Sequence, residues 1–289
     1  MTVFAEARQD RVGLGIAMIL LSWLFFSFVD SSVKWLVLLG LSAFQLAFMR
    51  YAVHFAISVA AGGVRLSTAG RQGALLLRAG LLASATFFNF VALNHLPLTV
   101  TSAIMFSSPI FVAALSGPLL GERVGPWRWT AVGLGFVGVM IVVRPLSAEF
   151  HWATLLVVYN AVAICLFSII TRRLAGEVPA QTMQLYTGAV GTAVMLPMAV
   201  LTWENPEGLR DWALLVGVGV WAWAGHEIFA RAHWFAEASV LMPFTYVFIL
   251  YMAVLGYIVF GDVPDAATIL GAVIIVASGL IVWWRETRA

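Results

Sequence analysis

The chain has 289 residues, 62% hydrophobic and only 10% charged, with a formal net charge of +2. Soluble domains carry roughly 45–50% apolar and about 25% charged residues, so this composition excludes a water-soluble globular surface. Lys and Arg scattered between apolar runs exclude the clustered basic face of a nucleic-acid-binding protein, and a lone cysteine, Cys165, excludes a disulfide framework or multi-cysteine metal site within the chain.

Arg8 and Arg11 precede an apolar run over 12–35. A signal peptide opens in the same order, but this run is long for a signal core and passes through Asp30 to Lys34 without a small-residue cleavage pattern. It is therefore read as the first span. Further runs follow at 42–61, 73–93, 98–120, 127–143, 152–171, 180–202, 210–231, 238–260 and 266–284. At about 1.5 Å per helical residue, such runs can cross the roughly 30 Å of bilayer hydrocarbon. The breaks between them, such as Gly121-Glu122-Arg123-Val124-Gly125-Pro126, leave no room for a soluble domain. The expected architecture is an all-α integral membrane protein of ten transmembrane helices in a lipid bilayer.

Short loops are where basic residues report orientation. With the N-terminus in the cytoplasm, Arg8, Arg11, Arg65, Arg71, Arg78, Arg123, Arg128, Arg172, Arg173, Arg231, Arg285 and Arg288 fall on the cytoplasmic side. Lys34, Arg144 and Arg210 fall on the far side, and Arg50 lies inside the second span. That split predicts both termini in the cytoplasm. The halves also correspond at an offset of about 140 residues. Residues 98–122, ending Leu119-Leu120-Gly121-Glu122, lie over 238–262, ending Ile258-Val259-Phe260-Gly261-Asp262. Residues 1–145 and 146–289 are thus expected to be two repeats of five spans. An odd span number makes the second enter the membrane in the opposite sense, the inverted arrangement associated with alternating access around a midplane site.

Ser107-Ser108-Pro109-Ile110-Phe111 through Gly121-Glu122-Arg123, then Gly133, Gly138 and Arg144-Pro145, resembles the EamA-type repeat of the drug/metabolite transporter superfamily. A second copy runs from Pro243-Phe244 through Gly261-Asp262 to Gly271 and Gly279. The resemblance covers nearly the whole chain. It implies a ten-helix basket in a bacterial inner membrane, with a central cavity walled by both halves and the fifth and tenth helices packed away from it. Asp30-x-x-x-Lys34 with Phe48-Met49-Arg50 further looks like a branch containing carriers of S-adenosylmethionine, riboflavin and opine-type metallophores.

Ionisable groups are costly at the bilayer centre and so mark cavities or partners. Asp30 and Lys34, four apart on one helix face, fit either the two ends of a zwitterion or a self-neutralising pair. Arg50, four residues before His54, offers a planar fork for carboxylate or phosphate; its structural alternative is a pair with Asp30, and His54 reads as packing. His226, Glu227, Arg231 and His233 close the eighth span, where Glu227 and Arg231 can pair and leave His226 to change charge. They are candidates for gating or proton coupling, against an interfacial charge cluster.

Asn89, Asn160, Gln184 and Thr245 place uncharged donors and acceptors within spans, to orient a substrate or to join neighbouring helices. Asn89 and Asn160 rank first. Many of the twelve tryptophans fall at span ends, where interfacial belts are expected. Trp23, Phe87, Phe106, Tyr159 and Trp223 lie deeper and could wall a cavity. Pro109 and Pro243, in related spans, read as hinge or cavity-shaping elements, since proline frees a helix carbonyl.

Enzyme motifs fail on inspection. Gly133-Leu134-Gly135-Phe136-Val137-Gly138 lies in an apolar span without a preceding strand, and His226-Glu227 is followed by Ala230 where a zinc-binding helix needs a second histidine. No cofactor is expected. The sequence supports a secondary carrier of a small zwitterionic or carboxylated metabolite, acting in export and coupled to protons or a counter-transported solute. Uptake of a metabolite such as S-adenosylmethionine or riboflavin is the second reading, and a membrane-embedded enzyme or sensor the rival from another class.

Overall fold

The computed structural model describes residues 12–62, 68, 70–108, 111, 115, 126–144, 146–148, 150–174, 177–232, 235 and 241–286. Every regular element among them is helical. These are α1 (Val12–Leu38), α2 (Ala43–Gly62), α3 (Gln72–Leu93), α4 (Leu98–Met105), α5 (Pro126–Val143), α6 (Ala153–Leu174), α7 (Ala180–Leu201), α8 (Leu209–Ala232), α9 (Val247–Phe260) and α10 (Ala266–Glu286). A 3-10 turn, Met242–Tyr246, leads into α9 and contains Pro243. Pro109 and His233 lie outside the described residues. By length and composition, α1–α3 and α6–α8 can each cross a membrane, and shorter apolar stretches lie at Val132–Val143, Phe244–Phe260 and Ala266–Ile281.

Burial runs opposite to a soluble protein. Leu76, Leu77, Leu155, Val200, Leu201, Leu250, Ile258 and Val273 are exposed, whereas Asp30, Lys34, Arg50, Arg78, Asn89 and Asn160 are buried. An apolar belt of this extent belongs in lipid, and the buried charges mark the protein's interior.

Among the helix contacts, α1 pairs with α8, α2 with α7, α3 with α6, α4 with α9 and α5 with α10. Exchanging α1–α5 with α6–α10 maps the α1–α8 contact onto α6–α3 and leaves the other three pairs unchanged. The packing therefore has the two-fold relation of an inverted repeat, with each half interleaved in the other. Close approach sets the α5–α10 crossing: a Cβ added to Gly138 would stand 2.8 Å from Ile275 Cγ1 and 3.0 Å from the Gly271 carbonyl oxygen.

The end of α9 matters for the site. Gly261 adopts a left-handed φ of 70°, which suits glycine. Its N–H and that of Asp262 return to the carbonyls of Tyr257 and Gly256, each at 3.0 Å. The turn stops the helix and delivers the Asp262 carboxylate to Lys34 on α1.

Candidate functional site

Arg50 stands at the centre of the buried polar group. It sits in the first half of α2, 9% exposed, and donates from Nη1 to Thr86 Oγ1 on α3 at 2.6 Å. Its Nε is buried without a hydrogen-bond partner. The Arg50 charge acts on Asp30, His54 and His226, which belong to α1, α2 and α8. Asp30 Oδ1 accepts from Asn89 Nδ2 on α3 at 3.3 Å, and Asn89 Oδ1 accepts from Asn160 Nδ2 on α6 at 3.3 Å. Four helices of the first repeat's α1–α3 and the second repeat's α6 thus contribute to one amide–carboxylate chain beside one guanidinium.

Histidines extend the group toward α8. His54 and His226 have ring centroids 5.9 Å apart, and His226 packs on Phe26 at 4.9 Å. His54 Nε2 is also buried and unpartnered. Beyond Phe26, Trp23 forms an aromatic floor with Phe106, Phe229 and Phe248 at centroid distances of 5.3, 6.4 and 5.2 Å. Trp23 Nε1 lacks a partner as well. Ring contacts run Trp23–Phe26–His226–His54, with Arg50 one turn before His54 on α2, and three unpartnered ring or guanidinium nitrogens, Trp23 Nε1, His54 Nε2 and Arg50 Nε, belong to this group. Buried polar groups left unmatched cost about 1–3 kcal/mol each, and the arrangement suits a ligand rich in oxygen acceptors with an apolar or aromatic portion against Trp23 and Phe26.

At the other end of α1, Lys34 does not pair with Asp30. It makes an ion pair with Asp262 and lies over the Phe260 ring at 4.6 Å. The i,i+4 expectation fails because Asp30 is already engaged by Asn89, while the Gly261 turn offers Lys34 a carboxylate that is 25% exposed. Arg50 bonds Thr86, and the pair with Asp30, its structural alternative, is not among the ion pairs of the described residues. Nearby, Gln45 holds the α7–α8 loop through the Glu204 main chain, donating to its carbonyl at 2.8 Å and accepting from its N–H at 3.0 Å.

Arg78, expected among the cytoplasmic loop charges, is instead buried in α3. It donates to Thr171 Oγ1 at 2.7 Å, Thr187 Oγ1 at 2.8 Å and the Met183 carbonyl at 3.2 Å, with its guanidinium 4.2 Å from the centroid of Phe167. It joins α3 to α6 and α7. Glu227 and Arg231 do pair, at 2.8 Å, with exposed side chains, while His226 packs on Phe26 and His54.

Tyr159 turns toward Ser84 Oγ at 2.9 Å and Phe88 at 5.0 Å, and stays 41% exposed. Trp223 is half-buried on α8. Gln184 is half-buried and Thr245 buried. A groove of about 420 Å³ lined by Phe55, Leu76, Leu185 and Val190 contains no charged side chain and lies apart from the polar group. Sequence reasoning missed Thr86, Tyr51 and Asp262, and undervalued His54. Of these, only Asp262 carried a signal, as the acidic member of the repeated Gly-acidic pair.

A two-fold related helical basket with an apolar outer belt and a small set of converging interior charges defines a polytopic membrane transporter. The EamA-like transporter family matches residues 13–144 and again 151–284, and the chain belongs to that family. It is 31% identical to a riboflavin transporter of Vibrio cholerae, covering 95% of this chain and 94% of that protein. It is 27% identical to an S-adenosylmethionine uptake transporter of Rickettsia felis, covering 93% and 94%. It is also 29% identical to the pseudopaline exporter CntI of Pseudomonas aeruginosa, covering 93% and 95%. A solved structure titled only as a protein crystal structure shares the fold, with a TM-score of 0.65 at 20% identity over 97% of this chain and 99% of that one.

Proposed function

We propose that this transporter is a secondary carrier that exports a small zwitterionic or carboxylated metabolite by alternating access, with the substrate's anionic group held by Arg50. The observation that carries this reading is the buried Arg50 side chain, whose Nε has no partner among the described residues. A guanidinium presents paired donors to a carboxylate. Asp30, with Asn89 and Asn160 behind it, would receive the substrate's ammonium, and Trp23 and Phe26 would bury its apolar part. Lys34, Tyr159 and Trp223 would line the approach.

In this reading residues 1–145 and 146–289 rock against each other in a bacterial inner membrane, with both termini cytoplasmic. Glu227 and Arg231, with His226 and the 3-10 turn that contains Pro243, would form the cytoplasmic gate. Protons or a counter-transported solute would supply the driving force, with Asp30 as the proton-carrying group. The uptake reading is favoured by a separate observation, the similarity to proteins named as S-adenosylmethionine uptake transporters.

The test is flux in proteoliposomes containing purified protein, with labelled amino acids, S-adenosylmethionine and riboflavin inside or outside. Saturable flux of a carboxylated solute, lost in Arg50→Ala and weakened in Arg50→Lys, is expected. Riboflavin as the sole solute moved, or Arg50→Ala transporting at the wild-type rate, sinks the assignment. Under an imposed pH gradient, Asp30→Asn should abolish accumulation and raise the KM for counterflow, since it removes both the proton-carrying group and the partner of the ammonium; accumulation kept at the wild-type level would remove the proton from the mechanism.

A further inference from the structure

Arg50 is held from one side by a chain of hydrogen bonds whose direction is fixed. Tyr51 Oη lies 2.9 Å from the Leu82 carbonyl oxygen and 2.7 Å from Thr86 Oγ1. A carbonyl only accepts, so the single phenolic proton goes to Leu82. The Tyr51–Thr86 contact must then use the Thr86 hydroxyl proton, with the phenolic oxygen accepting. This leaves the Thr86 oxygen to accept from Arg50 Nη1, at 2.6 Å. The chain therefore runs Arg50 to Thr86 to Tyr51 to Leu82, with every proton placed.

Burial makes this arrangement stiff. Tyr51 is 2% exposed and Thr86 7%, so no solvent competes for the hydroxyls. The Arg50 guanidinium stands 5.0 Å from the centroid of the Tyr51 ring. That ring rests against bare backbone of α7: a Cβ at Gly191 would come within 2.3 Å of Tyr51 Cγ. Three helices, α2, α3 and α7, thus meet behind the guanidinium.

The consequence follows from the shape of arginine. Nη1 is occupied by Thr86, and the buried Nε remains without a partner. In a planar guanidinium, Nε and the second amino group share the edge remote from Nη1, and two parallel N–H bonds from that edge match the two oxygens of a carboxylate. We propose that Thr86, backed by Tyr51, is a positioning residue that turns the Nε edge of Arg50 toward the substrate and so selects carboxylate-bearing solutes. The proposal rests on the reading above that Arg50 holds the substrate's anionic group. It adds the residues that set the geometry of that hold.

The experiment compares wild type with Thr86→Val, Thr86→Ser and Tyr51→Phe in proteoliposomes, using S-adenosylmethionine and its decarboxylated counterpart as probes. Thr86→Val keeps the shape and removes the hydroxyl. It should raise the KM for S-adenosylmethionine about tenfold, the scale of one hydrogen bond to a charged group, with the maximal rate little changed. Flux of the decarboxylated probe should not respond. Thr86→Ser should restore the wild-type KM, and Tyr51→Phe should fall between. Equal effects on both probes, or a serine variant as impaired as valine, would overturn the proposal. Should Thr86→Val not fold, Tyr51→Phe carries the same comparison.

A second readout does not need transport. In ¹⁵N-arginine-labelled protein, the two Arg50 Nη signals should be resolved in wild type and Thr86→Ser and merge in Thr86→Val, as rotation about the Nε–Cζ bond is freed. Nη signals unchanged by Thr86→Val overturn the positioning role even if Arg50→Ala abolishes flux. Merged signals in a protein that moves neither probe support the positioning role and remove the substrate assignment instead.

Discussion

Replacing Lys34 by Met tests the ion pair that joins α1 to the turn before α10. Methionine keeps the length and apolar volume of the lysine stem, so the loss is chiefly that of the ammonium. Exposed ion pairs contribute about 0–1 kcal/mol, whereas removing one partner of a fully buried pair costs about 3–5 kcal/mol. The side chains here are 9% and 25% exposed. The Asp262 left behind keeps some hydration, and the cost falls between those limits, at about 1–3 kcal/mol. The ammonium over Phe260 adds about 0.5–2 kcal/mol, which is lost in Lys34→Met but kept in Asp262→Asn. Lys34→Met loses that contact but strands the better-hydrated Asp262, whereas Asp262→Asn keeps it but strands the more buried ammonium, so the two variants should cost similar amounts, and a double-mutant cycle by detergent-denaturation titration should show coupling of about 1–2 kcal/mol. Access gives a second readout. Ser31, one turn below Lys34, is 8% exposed, and the native Cys165 is buried. Labelling of a Ser31→Cys variant by a water-soluble maleimide should rise about 5- to 150-fold when the pair is broken, the population change that 1–3 kcal/mol produces. Coupling below about 0.5 kcal/mol together with unchanged labelling would refute the pair as a tie between α1 and the turn before α10.

Other outcomes follow from single contacts. Gly138→Ala should destabilise by about 1–2 kcal/mol net, because overpacking against Ile275 and the Gly271 backbone outweighs the roughly 1 kcal/mol gained in helix propensity; Gly133→Ala, on the same helix with no atom within 4 Å, should be neutral or stabilising, as read by thermal melting in detergent. Arg78→Lys should lower the melting temperature more than Arg71→Lys, since three hydrogen bonds to α6 and α7 require the guanidinium fork, whereas Arg71 meets Glu177 at the exposed surface. Asp265 Oδ1 caps α10 by accepting from the Thr268 N–H at 2.7 Å, and Asp265→Ala should cost about 1 kcal/mol. Hydrogen bonds to Thr268 hold the Asp265 carboxyl below its usual value of 3.8. A depressed carboxylate stabilises above that value and loses its contribution as pH falls through the lower folded one, so wild type and Asp265→Ala should converge in stability in strong acid.

The membrane made the fold legible. Every span must satisfy its own backbone as a helix and show an apolar surface to lipid, so long apolar runs marked α1–α3 and α6–α8 directly. It also made Asp30, Arg50, Asn89 and Asn160 conspicuous, since few polar groups enter the hydrocarbon without a task. Azimuth was less legible. Depth alone placed Tyr159 beside Asn160, yet successive helical residues lie about 100° apart, and only Asn160 turns to Asn89. Pairing was hidden for a different reason. Local spacing favours Asp30 with Lys34, but the partner chosen lies 228 positions away in sequence. Thr86 and Tyr51 are ordinary helix residues by type, and nothing short of the packed α2–α3 interface distinguishes them.

The symmetry of the packing is not repeated in its chemistry. Helix α7, exchanged with α2 by the two-fold relation, contains no charged residue, so nothing in it answers Arg50. Arg50, Thr86, Tyr51 and Leu82 all lie on α2 and α3 and are joined by hydrogen bonds of 2.6–2.9 Å. The hydrogen-bonded anchor is thus built within one half, while the Tyr51 ring that backs it rests on Gly191 of the other. Other bonds cross to the second half: Arg78 to Thr171 and Thr187 at 2.7 and 2.8 Å, Gln45 to the Glu204 main chain at 2.8 and 3.0 Å, Asn160 to Asn89 at 3.3 Å, Ser22 to the Gly225 carbonyl at 2.8 Å, and the Lys34–Asp262 ion pair. Rocking of the halves would leave the first set intact and exchange the second. On the proposed reading of Arg50, an anchor whose hydrogen bonds stay within one half can keep its geometry while the crossing contacts change, and so hold the same substrate group in both orientations.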